Sequence, residues 1–221
     1  LVDVSQLTPD PDFCRTFAAQ EEAVKRFTEE VIGTNRTALT TQPAFFGPSA
    51  FVDLIHDLQL ELSGAQISFT APISFNATIP AGDVHVSDMF NLYTYENQLY
   101  VMELTGREIK DYLEYSYGHW TRQMGSADEH MLRFRAGADT LKDAWQRLAS
   151  PSYNFDSAAG LRYTVDLTKP EGQKVSILGL SNGDAFAPDA TYRVAVNSYR
   201  GNGGLRNPLG VYTLSRRASS T

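Results

Sequence analysis

Two short stretches, far apart in the chain, carry the residue types that could hold a flat heterocyclic ligand. The first is Asn91-Leu92-Tyr93-Thr94-Tyr95-Glu96-Asn97, and the second is Asn197-Ser198-Tyr199-Arg200-Gly201-Asn202-Gly203-Gly204. Each sets a π-face beside hydrogen-bonding groups. If the two stretches face one another they form a slot in which a ring stacks, an interaction worth about 1–3 kcal/mol per base in single-stranded nucleic-acid binders. Neighbouring amides would read the polar edge of that ring. Aromatics at strand ends also serve as core or rim packing, and spacing alone does not separate the two roles. A third stretch, Ser152-Tyr153-Asn154-Phe155-Asp156, reads as a loop leading into a strand, with Asp156 capping a turn.

Chemistry of other kinds lacks its residues. Metal-assisted hydrolysis needs Asp, His and Asn ligands grouped at strand ends, and His56, His85, His119 and His130 have no such spacing. His56 falls within a helical pattern beside its apolar stripe, which makes it a structural or surface residue. Neither a glycine-rich phosphate loop, nor a nucleophile elbow, nor an HExxH motif occurs. The one cysteine, Cys14, has no intrachain partner and sits among acidic residues, a setting for an inert thiol. No catalytic residue is assigned, and the chain by itself is expected to hydrolyse nothing.

A net charge of −7 works against non-specific binding of a nucleic-acid polymer, which depends on Lys and Arg displacing phosphate counterions. A single small anion needs only one or two placed arginines, and Arg36 and Arg200 are the candidates. No run of about 18 apolar residues is present, so no membrane-spanning helix is expected. The chain starts at Leu1 without a methionine and stops at Thr221, which suggests a processed or excised piece.

The elements that must position these residues follow from periodicity. Residues 1–33 read as a linker and a helix. The helix covers residues 16–32, with Phe17, Val24, Phe27 and Val31 near one face and Gly33 as its C-cap. Pro48 and Ser49 open a second helix whose stripe is Phe51, Leu54, Ile55, Leu58 and Leu62. Strands are expected at residues 67–70, 83–86 and 98–104. Thr105-Gly106-Arg107-Glu108 is a capping box that starts a helix ending at Gly118. Residues 119–150 are weakly patterned, with at most a short helix within 141–148. Strict alternation over 161–167, a strand over 174–180, the hairpin turn Ser181-Asn182-Gly183-Asp184 and a strand over 192–197 complete the pattern. Helices mixed with antiparallel strands indicate an α+β domain over residues 34–221.

Six stretches in a fixed order carry a family likeness. They are Thr70-Ala71-Pro72, Ile79-Pro80-Ala81-Gly82-Asp83, Leu92-Tyr93 through Tyr95 to Asn97, Leu104 to Glu114, Ser152 to Asp156, and Val196 to Gly204. Together they resemble the C-terminal domain of the 5′-nucleotidase family, closest to its 2′,3′-cyclic-nucleotide 2′-phosphodiesterase/3′-nucleotidase branch. The likeness covers residues from about Phe27 to Gly204, and within residues 1–33 the helix over 16–32 resembles the connector helix to a catalytic domain.

The resemblance implies a layered α/β/β/α fold of mixed and antiparallel sheets packed with helices. It implies that this domain grips base and ribose. A separate N-terminal metallophosphoesterase domain would hold two divalent metals, and this chain would hold no cofactor. Substrates would be nucleotides or nucleosides, and the location periplasmic, extracellular or cell-surface. Two aromatics sandwich the base in the family; by motif they fall on Tyr95 and Tyr199. Asn97 would lie near the base edge, and Gly203 and Gly204 would let the backbone approach the ligand. The Asn-Gly-Gly-x-Arg motif of many 5′-nucleotidases is absent here, where the chain reads Thr70-Ala71-Pro72-Ile73-Ser74-Phe75-Asn76, which favours the cyclic-nucleotide branch. A different class of reading is a stand-alone ligand-binding or scaffolding module that kept the fold without the catalytic partner.

Overall fold

A computed structural model describes residue 5, residues 7–203 and residues 218–219. The first helix, α1 (Pro11–Thr28), starts earlier than its apolar spacing suggests. Asp10 caps it by accepting hydrogen bonds from the Asp12 and Phe13 amides, and Pro11 occupies the first turn, where no amide is needed. It also ends earlier, at Thr28. Val31, Ile32 and Gly33 belong instead to strand β1 (Val31–Asn35), because they pair antiparallel with residues 82–85.

Strand β2 (Leu39–Thr40) leads to α2 (Ala50–Ser63), which ends at Gly64 in the left-handed conformation, φ 60°. Only the start of the expected stripe meets the interior: Phe51 and Ile55 are buried, but Leu58 and Leu62 are exposed, because the face turned to the sheet is Val52, His56 and Gln59, where Ser68 of the next strand accepts polar partners. Strand β3 (Ile67–Thr70) is buried at all four positions. Two short strands follow, β4 (Thr78–Ile79) paired with β2, and β5 (Gly82–His85) paired with β1. Val86, read from sequence as the end of a strand, opens α3 (Val86–Leu92).

Strand β6 (Leu99–Thr105) runs into α4 (Gly106–Trp120), where the capping box forms as expected: Thr105 Oγ1 accepts from the Glu108 amide and Glu108 accepts from the Thr105 amide. The weakly patterned stretch contributes a 3-10 turn at Ala138–Thr140 and a short α-helix, α5 (Ala144–Arg147). The remaining elements are β7 (Ser157–Ala159), β8 (Leu161–Val165), β9 (Val175–Leu180), β10 (Thr191–Asn197), α6 (Ser198–Gly201) and β11 (Ala218–Ser219).

The central five-stranded sheet has the order β11-β6-β10-β3-β7. It is mixed: β10 runs parallel to β3 and antiparallel to β6. This departs from the hairpin reading, in which β9 would pair with β10. Strand β9 pairs with β8 in a separate two-stranded sheet. The reason lies in burial. Tyr192 and residues 194–197 of β10 are buried, so both its faces need cover and the strand takes the centre of the sheet.

Alternation along β3 then explains the layering. Ile67 and Phe69 point into a core with Ile109, Tyr112 and Leu113 of α4, and the Phe69 and Tyr112 rings stack with centroids 4.7 Å apart. Ser68, on the opposite face, meets His56 and Gln59 of α2. Helices thus cover both faces of an α+β domain. A second core of Phe51, Val52, Ile55, Ile79 and Val84 packs α2 onto the small strands.

Candidate functional site

The register of the central sheet brings the two ligand-competent stretches together. Asn197, the last residue of β10, pairs with Leu99, the first of β6, so the loop entering one strand lies beside the loop leaving the other. Side chains then tie the loops. The Ser198 amide donates to Gln98 O at 2.7 Å, and Ser198 Oγ accepts from the Gln98 amide at 3.1 Å. Ser198 Oγ also donates to Asn97 Oδ1 at 3.2 Å, while Asn97 Nδ2 donates to the Tyr93 hydroxyl at 3.2 Å.

Between these loops is a cavity of about 370 Å³ lined by Ile73, Tyr95, Glu96, Asn97, Tyr153, Asn197 and Tyr199. Tyr95 and Tyr199 are 52% and 44% exposed, unusual for residues that would otherwise be core packing. The Tyr153 ring is near both, 6.5 Å from Tyr95 at 78° and 6.4 Å from Tyr199 at 83°. It meets each of the two phenol rings nearly edge-on, a geometry their quadrupoles favour.

The other sequence candidates fall elsewhere. Arg200 does not face the cavity: it is 3% exposed, and its guanidinium forks onto Asp156, Nε to Oδ2 at 2.6 Å and Nη2 to Oδ1 at 3.1 Å. Nη1 also donates to Asn154 Oδ1 at 3.3 Å, and Nη2 to the Tyr153 carbonyl. Nor does Asp156 cap a turn; it is 1% exposed and accepts from the Tyr112 hydroxyl as well as from Arg200. Arg36 is exposed in the bend after β1 and is not among the residues that line the cavity. Gly203 has φ 84°, a value suited to glycine, and its amide donates to Arg200 O at 2.9 Å. Gly204 lies outside the described residues. Tyr153, Glu96 and Asn197 line the cavity without having been singled out as contacts. An aromatic in Ser152-Tyr153-Asn154 was the available signal.

A buried charge pair adjoins two of the cavity-lining tyrosines, Arg200 donating to the Tyr153 carbonyl and lying 5.0 Å from the Tyr199 ring centroid. Burial lowers the tendency of Arg200 to stay charged, but Asp156 and Tyr112 outweigh it and hold its pKa above the ordinary value. Burial, reinforced by Asp156, pushes the Tyr112 hydroxyl well above the usual range, so it remains a donor. A larger cavity of about 550 Å³ lies between α2, the end of α4 and the β8–β9 hairpin, and shares no residue with the tyrosine-lined one. Its buried histidine is engaged: His56 Nδ1 meets Ser68 Oγ at 2.9 Å and Nε2 meets Ser157 Oγ at 3.1 Å. Among the described residues, no group of three or more His, Cys, Asp or Glu could hold a metal ion, and no helix is long and apolar enough to cross a membrane.

Comparison with known proteins gives a consistent family. A family model described as "5′-nucleotidase, C-terminal domain" matches residues 27–208. The trifunctional nucleotide phosphoesterase protein YfkN of Bacillus subtilis is 34% identical over 145 residues, 59% of this chain and 9% of that protein. A 2′,3′-cyclic-nucleotide 2′-phosphodiesterase/3′-nucleotidase of Salmonella typhimurium is 32% identical over 144 residues, 60% of this chain and 20% of its own length. Among solved structures, a Staphylococcus aureus protein described as a 5′-nucleotidase in complex with α-ketoglutarate superposes with a TM-score of 0.70 and 26% identity, covering 92% of this chain and 37% of that one. The chain thus spans a minor part of the relatives it matches.

Proposed function

The chain belongs to the 5′-nucleotidase C-terminal domain family, and on that premise we propose that it grips the base and ribose of a nucleotide. Metal-dependent hydrolysis would be carried out by a metallophosphoesterase domain N-terminal to it. The observation that carries this reading is the 370 Å³ cavity, of a size usual for small-molecule sites, walled by Tyr95, Tyr153 and Tyr199 and edged by Asn97 and Asn197. A planar ring entering it would have the exposed rings of Tyr95 and Tyr199 to stack on, with the amides of Asn97 and Asn197 near its polar edge. Stacking tolerates every base because each has a π-face, while the amides supply directionality.

Similarity to a cyclic-nucleotide phosphodiesterase and to a trifunctional nucleotide phosphoesterase supports nucleotides as the substrate class. A periplasmic or cell-surface location belongs to the same proposal. Helix α1 supports a partner domain: it buries none of its residues, and Phe13, Phe17, Val24 and Phe27 are all exposed. Calorimetric titration with adenosine and 3′-AMP tests the reading. Binding is expected, and Tyr199→Ala should weaken it about tenfold or more, since a lost stacking face costs about 1–3 kcal/mol. Absence of binding to the parent chain at millimolar nucleoside would overturn it.

A further inference from the structure

Arg200 joins two loops with one side chain. Its backbone follows Tyr199, one wall of the cavity, and its guanidinium lies 5.0 Å from the Tyr199 ring centroid. The same guanidinium donates to the Tyr153 carbonyl and to Asn154, on the loop that supplies another wall. Asp156, 44 positions away, receives the fork and is itself held by the Tyr112 hydroxyl of α4 and, through its backbone carbonyl, by Ser116 Oγ at 2.7 Å. At the helix end, Asn197 Oδ1 accepts the Arg200 amide at 2.9 Å, which fixes the turn that presents Tyr199.

We propose that Arg200 is a positioning residue: clamped by Asp156, it sets the spacing of the Tyr199 and Tyr153 walls and so pre-forms the base slot. The inference deepens the nucleotide reading and rests on it. Charge balance alone does not require so many contacts. An ammonium beside Asp156 would neutralise it equally well, but it is a point donor and cannot span Asp156, Asn154 and the Tyr153 carbonyl as a planar fork does. Pre-formation matters because ordering two loops at the moment of binding subtracts from affinity.

The discriminating variant is therefore Arg200→Lys, which keeps the charge and loses the fork. Two readouts are taken on the 221-residue chain: calorimetric affinity for adenosine, and amide exchange over residues 152–156 and 198–203. The variant is expected to unfold cooperatively, to bind adenosine about tenfold more weakly, and to exchange faster in both loops together. Parent-like affinity with parent-like exchange overturns the proposal. If the lysine variant does not fold, Tyr112→Phe/Asp156→Leu/Arg200→Met removes the whole charged cluster in favour of apolar groups, a replacement that buried ion pairs often tolerate. That variant should show the same double loss, and retention of both properties overturns the clamp. If the parent binds no nucleoside, the base-slot reading fails, and the exchange data alone decide the clamp: coupled loosening supports it, unchanged protection refutes it.

Discussion

Acidification from pH 7 to pH 5 should destabilise this domain through one histidine. His56 on α2 is 2% exposed, and both ring nitrogens are held by hydroxyls, Ser68 Oγ at 2.9 Å and Ser157 Oγ at 3.1 Å. Burial lowers its pKa from 6.5 to about 4, against the opposing pull of Asp156. The sign follows from proton counting. Between those two values the unfolded chain binds a proton that the folded chain refuses, so stability falls as pH drops through the window and levels off below the folded pKa. With pKa values of 6.5 unfolded and about 4 folded, the loss is about 2 kcal/mol between pH 7 and pH 5 and about 3 kcal/mol by pH 4. For a urea dependence on the order of 2 kcal/mol per molar, the midpoint should fall by about 1 M at pH 5. Other groups titrate in the same range, so the measurement compares the chain with His56→Gln. The variant keeps a hydrogen-bonding side chain and removes the titration. Its midpoint should fall less steeply with pH than the parent's, and the gap between the two curves should close by the amount above. Parallel curves between pH 7 and pH 5 would refute the reasoning.

Other perturbations follow from single contacts. Glu114→Ala removes the carboxylate that accepts from the buried Lys174 and Val175 amides at 2.9 and 2.8 Å. Two orphaned donors should cost about 2–5 kcal/mol, measured by chemical unfolding. Gly106→Ala places a Cβ 2.4 Å from the Ala187 carbonyl oxygen and 2.9 Å from Phe186. The resulting overpacking should destabilise by about 1–3 kcal/mol, and an unchanged melting midpoint would show that residues 186–188 yield freely. Phe155→Ala should cost about 3–5 kcal/mol. That ring is fully buried, stacked on Trp120 at 5.3 Å and edge-on to Phe45 at 6.2 Å, and neighbours too rigid to collapse would leave a void.

Local chemistry made much of the architecture readable from the residues alone. The Thr105/Glu108 capping box, the span of α2 and the alternation of β8 depend on neighbours within a few positions, and each lies where periodicity puts it, whereas the α2 stripe holds only at its start, since Leu58 and Leu62 are exposed and His56 and Gln59 are buried instead. Unusual residue types at strand ends marked the two stretches, the family resemblance picked Tyr95, Asn97 and Tyr199 out of them, and all three line one cavity. Short-range pattern failed at the ends of α1, since only pairing with β5 makes residues 31–33 a strand. It failed for the partner of β9, because a turn sequence fixes a reversal and not which strand the chain next joins. It failed most at Arg200. Its type suits an anion, and nothing adjacent in sequence reveals that Asp156, 44 residues earlier, neutralises it in the interior. The residues by themselves determined which groups could stack and where the chain bends. Which faces are buried, and hence whether a charge meets ligand or protein, was decided by packing between distant segments, because desolvation is a property of the assembled interior and not of any local stretch.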